Sequence, residues 1–195
     1  MPAATDPLAR LLDSYQPRDQ AEAADLQRVR ALVADAADPW LRSSPLHLTG
    51  SALVVHPASS RVLLRWHLRQ QAWLQVGGHA DPGETDPLTV ALREAGEETG
   101  LAGLQPWPDR QLRHVVIVSV PASRAEPAHE HADLRFVLAT ERPEDARPES
   151  PDTPVRWLSL PEARDLTGEP NLTETLARVE RLLAARPRPA ERGNT

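Results

Sequence analysis

The chain has 195 residues, 40% of them hydrophobic, a net charge of −6 and 20 prolines, enough for one domain with a packed core and marginal for two. It contains neither cysteine nor lysine, which excludes a disulfide framework, thiolate metal sites, a cysteine nucleophile, Schiff-base catalysis and a P-loop lysine. The acidic balance argues against a nucleic-acid partner, and with no apolar leader in "MPAATDPLAR" or membrane-length apolar run a cytoplasmic protein is expected.

In chain order, residues 6 to 37 read as helical: Asp6 caps "PLARLLDSY", and "QAEAADLQRVRALVADA" carries apolar residues at helical spacing. "DPW" and "SSP" break that pattern. "HLTGSALVVHP" and "RVLLRWH", separated by "PASS", predict two strands, and "AWLQVGG" a third that runs into a glycine turn. A helix follows from Asp86 to Thr99, with Asp86 as cap, Pro87 in the first turn and Gly100 at its end. "LRHVVIVSVP" and "DLRFVLAT" predict strands joined by the loop "ASRAEPAHEHA". "ERPEDARPESPDTP" reads as a mobile surface loop, "VRWLSL" as a short strand and "NLTETLARVERLLAA" as a closing amphipathic helix. The order predicts an α+β fold, a mixed sheet with helices on both sides. Residues 1–45 are expected to form an N-terminal helical extension packing on a domain at 46–186, and 187–195 a disordered tail.

The helix from Asp86 carries an unusual charge pattern. With Glu94 at the zero of a wheel turning about 100° per residue, Glu97 falls about 60° to one side and Glu98 about 40° to the other. The three carboxylates share one face. Leu88, Ala91, Leu92, Ala95 and Thr99 occupy a separate arc suited to a core. Such an acidic face is either solvated or gathered round a cation. If a cation, hard oxygen donors favour magnesium or manganese, and the preceding glycines let a backbone carbonyl approach.

Residue order then adds a resemblance. Gly78 and Glu84, followed by Arg93, Glu94, Ala95, Glu97, Glu98, Gly100 and Leu101, resemble the signature box of the Nudix hydrolase superfamily over about 24 residues. Eight residues instead of the family's seven separate Glu84 from Arg93, so the extra residue belongs to the loop entering the helix, and the role of Glu84 is in doubt. The resemblance implies a Nudix-like α/β/α sandwich and a metal-dependent pyrophosphohydrolase acting on a small nucleotide or nucleoside diphosphate derivative. It implies Mg2+ as cofactor, with Mn2+ able to substitute, held by Glu94, Glu97, Glu98 and the carbonyl of Gly78. It casts Arg93 as the group that orients the carboxylates, with Glu94 the base in some relatives.

Other relatives draw the base from a downstream loop. In "EPAHEHAD" the candidates are Glu126, Glu130 and Asp133, with Glu130 preferred. His129 and His131 in the same loop form a His-x-His pair of the kind zinc uses, but no third ligand is evident. Arg65 and His79 are candidates for binding substrate. A homodimer is a further expectation of the resemblance, and a Nudix domain that senses a nucleotide without cleaving it is the alternative. The secondary markers that separate substrate subfamilies do not match, so the substrate is open.

Overall fold

The computed structural model describes residues 6–123 and 126–186; the expected tail at 187–195 lies outside them. Two helices lead, α1 (Pro7–Ser14) and α2 (Gln20–Asp35), started by Asp6 and Asp19, whose side chains accept from Leu8 N and Glu22 N. Each cap satisfies an amide that the first turn of a helix leaves without a partner. After β1 (Leu46–His56) and β2 (Arg61–His67), the expected third strand divides into β3 (Ala72–Leu74) and β4 (Val76–Gly78). The division has a topological cause: β3 pairs with β2, whereas β4 crosses to pair with β1.

Helix α3 (Pro87–Thr99) has the expected bounds, with Asp86 accepting from Leu88 N and Gly100 closing it at φ 65°. Then come β5 (Gln105–Pro106), β6 (His114–Val120), β7 (His129–Ala139), β8 (Val155–Ser159), α4 (Leu160–Thr167) and α5 (Pro170–Ala184). One expectation is corrected here, and one element is added. "HEHA" is not loop but the start of β7, because its backbone is paired on both sides, with β1 and with β6. "PEARDLT" is helical, and its signal was present: Ser159 and Glu162 form a reciprocal capping box at the N-terminus of α4. The proline-rich loop after β7 is tied to its surroundings, Arg147 N donating to the Thr99 carbonyl at 2.6 Å and Trp157 Nε1 to the Pro143 carbonyl at 2.9 Å.

The eight strands make one mixed sheet in the order β3-β2-β1-β7-β5, with β4 and β6 flanking β1 and β7, and β8 beside β2. The β1–β7 pair is parallel and runs from Leu46↔Glu130 to Val55↔Ala139. Strand alternation sorts the side chains. Leu48, Ala52 and Val54 join Leu134, Phe136 and Leu138 beneath α1, α2 and α3. Leu53, Val55 and Val137 face the opposite way, against Leu160, Leu172, Leu176 and Val179 of α4 and α5. Beyond that second apolar layer, the same face of β1 and β7 turns polar.

Candidate functional site

Arg93 organises the outer part of the site. Its guanidinium donates to both carboxylate oxygens of Glu84 from Nε (3.1 and 3.2 Å), and again to Glu84 from Nη2 at 2.9 Å. Nη1 reaches Glu94 at 3.0 Å and Glu97 at 2.9 Å, while Nη2 also donates to the His79 carbonyl at 2.7 Å. Charge-assisted, multiply bonded arginine is the strong form of this contact. One residue thus ties the loop after β4 to α3. The extra residue of that loop does not unseat Glu84, whose Oε2 also accepts from Asp81 N at 2.8 Å.

Glu98 faces inward and is 6% exposed. Its carboxylate pairs with Arg65 of β2 and accepts from the Gly77 amide at 3.0 Å. Burial pushes its carboxyl up to about 7, against the pull of Arg65 and the Gly77 amide. Glu94 is raised as well, by burial first and with Arg93 opposing. Two glycines make the approach possible: a Cβ on Gly78 would lie 2.6 Å from Glu94 Oε1, and Gly77, at φ 148°, would place one 2.3 Å from Ser51 Oγ. A larger residue at Gly78 would push the Glu94 carboxylate aside, and one at Gly77 would push β4 off β1.

Of these, Ser51, Arg65, Gly77, Gly78 and Glu98 line a pocket of about 180 Å³. Ligand sites usually enclose roughly 300 Å³ or more, so this one is too small to enclose a whole ligand of ordinary size. Arg65 Nε is buried there with no hydrogen-bond partner of its own. The far wall comes from β1 and β7. Asp133, 5% exposed, accepts from Ser51 Oγ at 2.6 Å, Thr49 Oγ1 at 3.1 Å and Arg135 Nε at 2.7 Å. Arg135, 3% exposed, continues to Asn171 and Thr175 of α5. Arg135, Thr49 and Ser51 escape sequence reading as site residues. Their signal is a polar run at alternate positions of otherwise apolar strands.

Above that wall lie four imidazoles. His47 of β1 and His131 of β7 are partners across the parallel ladder. His79 follows β4, with its Nε2 3.1 Å from His47 Nε2, and His129 Nε2 lies 3.1 Å from His131 Nε2. Burial pulls His79 down to about 4 and His131 to about 3, so these rings are neutral. His47 is lowered too, again by burial first.

The predicted residues separate into those brought together and those that are not. Gly78, Arg93, Glu94 and Glu98 meet at the junction of β4 and α3, with Arg65 on Glu98 and His79 beside them. Glu97 sits on the outer side of Arg93, its side chain 56% exposed. Glu130 requires a correction. Strand alternation points it away from the pocket face of β7, and it pairs with Arg28 of α2 at 2.5 Å. Of the downstream candidates, Asp133 lines the pocket, while Glu126 is held by Arg42 and Arg69.

Residues 46–179 match the family model described as NUDIX domain. The chain is 32% identical over 120 residues to a probable DHNTP pyrophosphohydrolase of Lactococcus lactis, the match covering 60% of this chain and 67% of that protein. The fold resembles a C. elegans Ap4A hydrolase binary complex (TM-score 0.57, 19% identity, 71% of this chain and 98% of that one). It also resembles the E. coli dihydroneopterin triphosphate pyrophosphohydrolase (TM-score 0.51, 18% identity, 74% and 98%).

Proposed function

The chain belongs to the NUDIX domain family of hydrolases, and on that premise we propose that it cleaves a diphosphate bond in a small nucleotide, with a divalent cation bound at α3. The carrying observation is the charge balance beside the pocket: among the described residues, Glu84, Glu94, Glu97 and Glu98 pair with Arg93 and Arg65 alone. Buried or half-buried carboxylates left short of positive charge suit a hard dication such as Mg2+, with Mn2+ able to replace it. Glu94 and Glu98 would hold it, Glu97 would contribute from the rim, and the missing Cβ of Gly78 leaves room for its carbonyl to join. When bound, the cation polarises a phosphoryl oxygen and offsets charge that develops on it.

The remaining work belongs to the chain. Arg93 is a positioning residue: it fixes the carboxylates of Glu94 and Glu84 relative to the strand-end backbone. Arg65, which lines the pocket beside Glu98, is the proposed contact for a phosphate oxygen. Glu94, raised by burial, is the proposed acceptor of the proton from the attacking water. Glu130, paired with Arg28 on the opposite face of β7, is not assigned this role. Asp133 and Arg135 shape the far wall.

A turnover panel tests this reading: nucleoside triphosphates, nucleotide sugars, dinucleoside polyphosphates and dihydroneopterin triphosphate, each with and without Mg2+. The last two compounds are included because similar proteins are named for them. Metal-dependent release of a phosphate-containing product from at least one member is expected. Tight binding with no product from any would favour the sensor alternative instead.

A further inference from the structure

We propose that His47, His79 and His131 form a second cation site, for Zn2+ or a related first-row transition dication, distinct from the carboxylates of α3. Each ring offers a nitrogen, and the three ligand atoms lie within 4.8 Å of one another. Among the described residues this is the set of three histidine or acidic groups so gathered. The identity of the donors sets the choice of ion. Imidazole nitrogen suits zinc, copper, iron and nickel, whereas magnesium takes oxygen.

The spacing agrees with that choice. Zinc–nitrogen bonds of about 2.0–2.1 Å at tetrahedral angles place neighbouring ligand nitrogens roughly 3.3–3.4 Å apart. His47 Nε2 and His79 Nε2 stand 3.1 Å apart already. His131 lies close to both, with ring centroids 5.0 Å from His47 and 4.8 Å from His79. A small adjustment of its side chain completes the triangle.

Support around the rings points the same way. His47 Nδ1 donates to the Ser44 carbonyl at 2.9 Å, so its Nε2 carries the free lone pair. A metal-bound histidine commonly has its other nitrogen held by a carbonyl in this manner. The backbones are held as well, His47 and His131 being cross-strand partners and β4 pairing with β1 just before His79. His129 donates from Nδ1 to the Pro127 carbonyl at 2.9 Å, leaving its Nε2 beside His131 as a reserve ligand. His79 and His131 both line the pocket. An ion on them would have an open position toward the substrate, the arrangement of a catalytic three-ligand zinc site.

The test does not depend on turnover, so it stands whether or not the pyrophosphohydrolase reading holds. Tag-free protein is stripped with EDTA, given one equivalent of Zn2+ or Co2+, and passed through gel filtration. Metal content and the visible Co2+ spectrum are then measured. We expect one retained equivalent, with the intense visible bands of four- or five-coordinate, nitrogen-ligated Co2+. The same result is expected for the double variant Glu94→Gln/Glu98→Gln. His79→Gln and His131→Gln, at partly exposed positions, should each weaken retention at least tenfold while the far-ultraviolet circular dichroism stays native. Failure of the wild-type protein to retain metal, or a faint spectrum of oxygen-ligated octahedral Co2+, overturns the site. Loss of metal in the carboxylate variant with retention in both histidine variants overturns it too. A histidine variant that unfolds leaves the decision to the wild-type Co2+ spectrum.

Discussion

The protein buries two glutamate–arginine pairs, and they behave in opposite ways. Glu22 of α2 and Arg178 of α5 meet at 2.7 Å, with side chains 3% and 2% exposed. Glu98 of α3 and Arg65 of β2 are nearly as buried, at 8% and 11%. Yet Glu22 is held well below the ordinary carboxylate value, while Glu98 is pushed up to about 7. Burial opposes the charge in both. The difference lies in the other partners. Glu22 also receives the Tyr15 hydroxyl and the amides of Arg18 and Val115, and both terminal nitrogens of Arg178 bond to it. Glu98 has Arg65 and one amide, with Glu94 and Glu149 repelling it. The first pair is a finished joint between the N-terminal helices and α5. The second is short of positive charge, the condition expected where a cation or a substrate completes the set.

The sharpest way to break that contrast is to neutralise each acid. Glu22→Gln should cost roughly 3–5 kcal/mol, because Arg178 would be left buried without its counter-charge. Urea denaturation measures this, and a loss below 1 kcal/mol would show that the joint is not structural. Glu98→Gln should instead leave stability unchanged or improved, and lower turnover by roughly 100-fold, the loss of a few kcal/mol of charge stabilisation. A Glu98→Gln protein with undiminished activity at saturating Mg2+ would sink the ligand assignment.

Acidity sharpens the comparison further. Between the folded and ordinary values of Glu22 the unfolded chain binds more protons, so its contribution is full above pH 4.5 and fades as pH falls below it. For Glu98 the folded chain binds more. Its contribution to metal-free stability should therefore decline as pH rises from 4.5 to about 7, by roughly 3 kcal/mol at most. His47, His79 and His131, held below the ordinary imidazole value by burial, act in the opposite sense over the same range. Thermal melts in EDTA are therefore read by difference: the wild type should lose stability relative to Glu98→Gln as pH rises.

Smaller effects follow at the periphery. Arg93→Lys keeps the charge but loses the fork that bonds Glu84, Glu94 and the His79 carbonyl together, and should lower kcat by roughly 10-fold with little change in KM. Restoration of wild-type kcat by lysine would mean that charge alone matters there. Glu130→Gln removes an exposed pair with Arg28 and should change stability by about 0.5 kcal/mol or less and activity hardly at all. A large loss of activity would return Glu130 to the catalytic set.

Much of the site was legible because its residues are local in sequence. Glu94, Glu97 and Glu98 share a face through helical period alone, and Asp86 and Gly100 mark the ends of that helix by their cap chemistry. Glu130 was placed on the wrong kind of element for a related reason. Treating "HEHA" as loop discards the strand alternation that sends Glu130 to α2 and its two neighbours to the pocket side. Asp133 was only one candidate among three until its Ser51 and Thr49 partners, more than eighty positions away, came into view.

From the residues alone came the acidic helix face, its glycine approach, the kinship to Nudix hydrolases and the mixed α+β architecture, all carried by short-range period and capping. The tertiary structure decided which arginine meets which glutamate, that Glu84 still reaches Arg93 despite its extra neighbour, and that His47 and His79 complete the pair begun at His129-x-His131. The histidine grouping depends on the register of β1, β4 and β7, and the Glu22–Arg178 and Glu98–Arg65 pairs on packing between elements distant in sequence, which local period and capping do not reach.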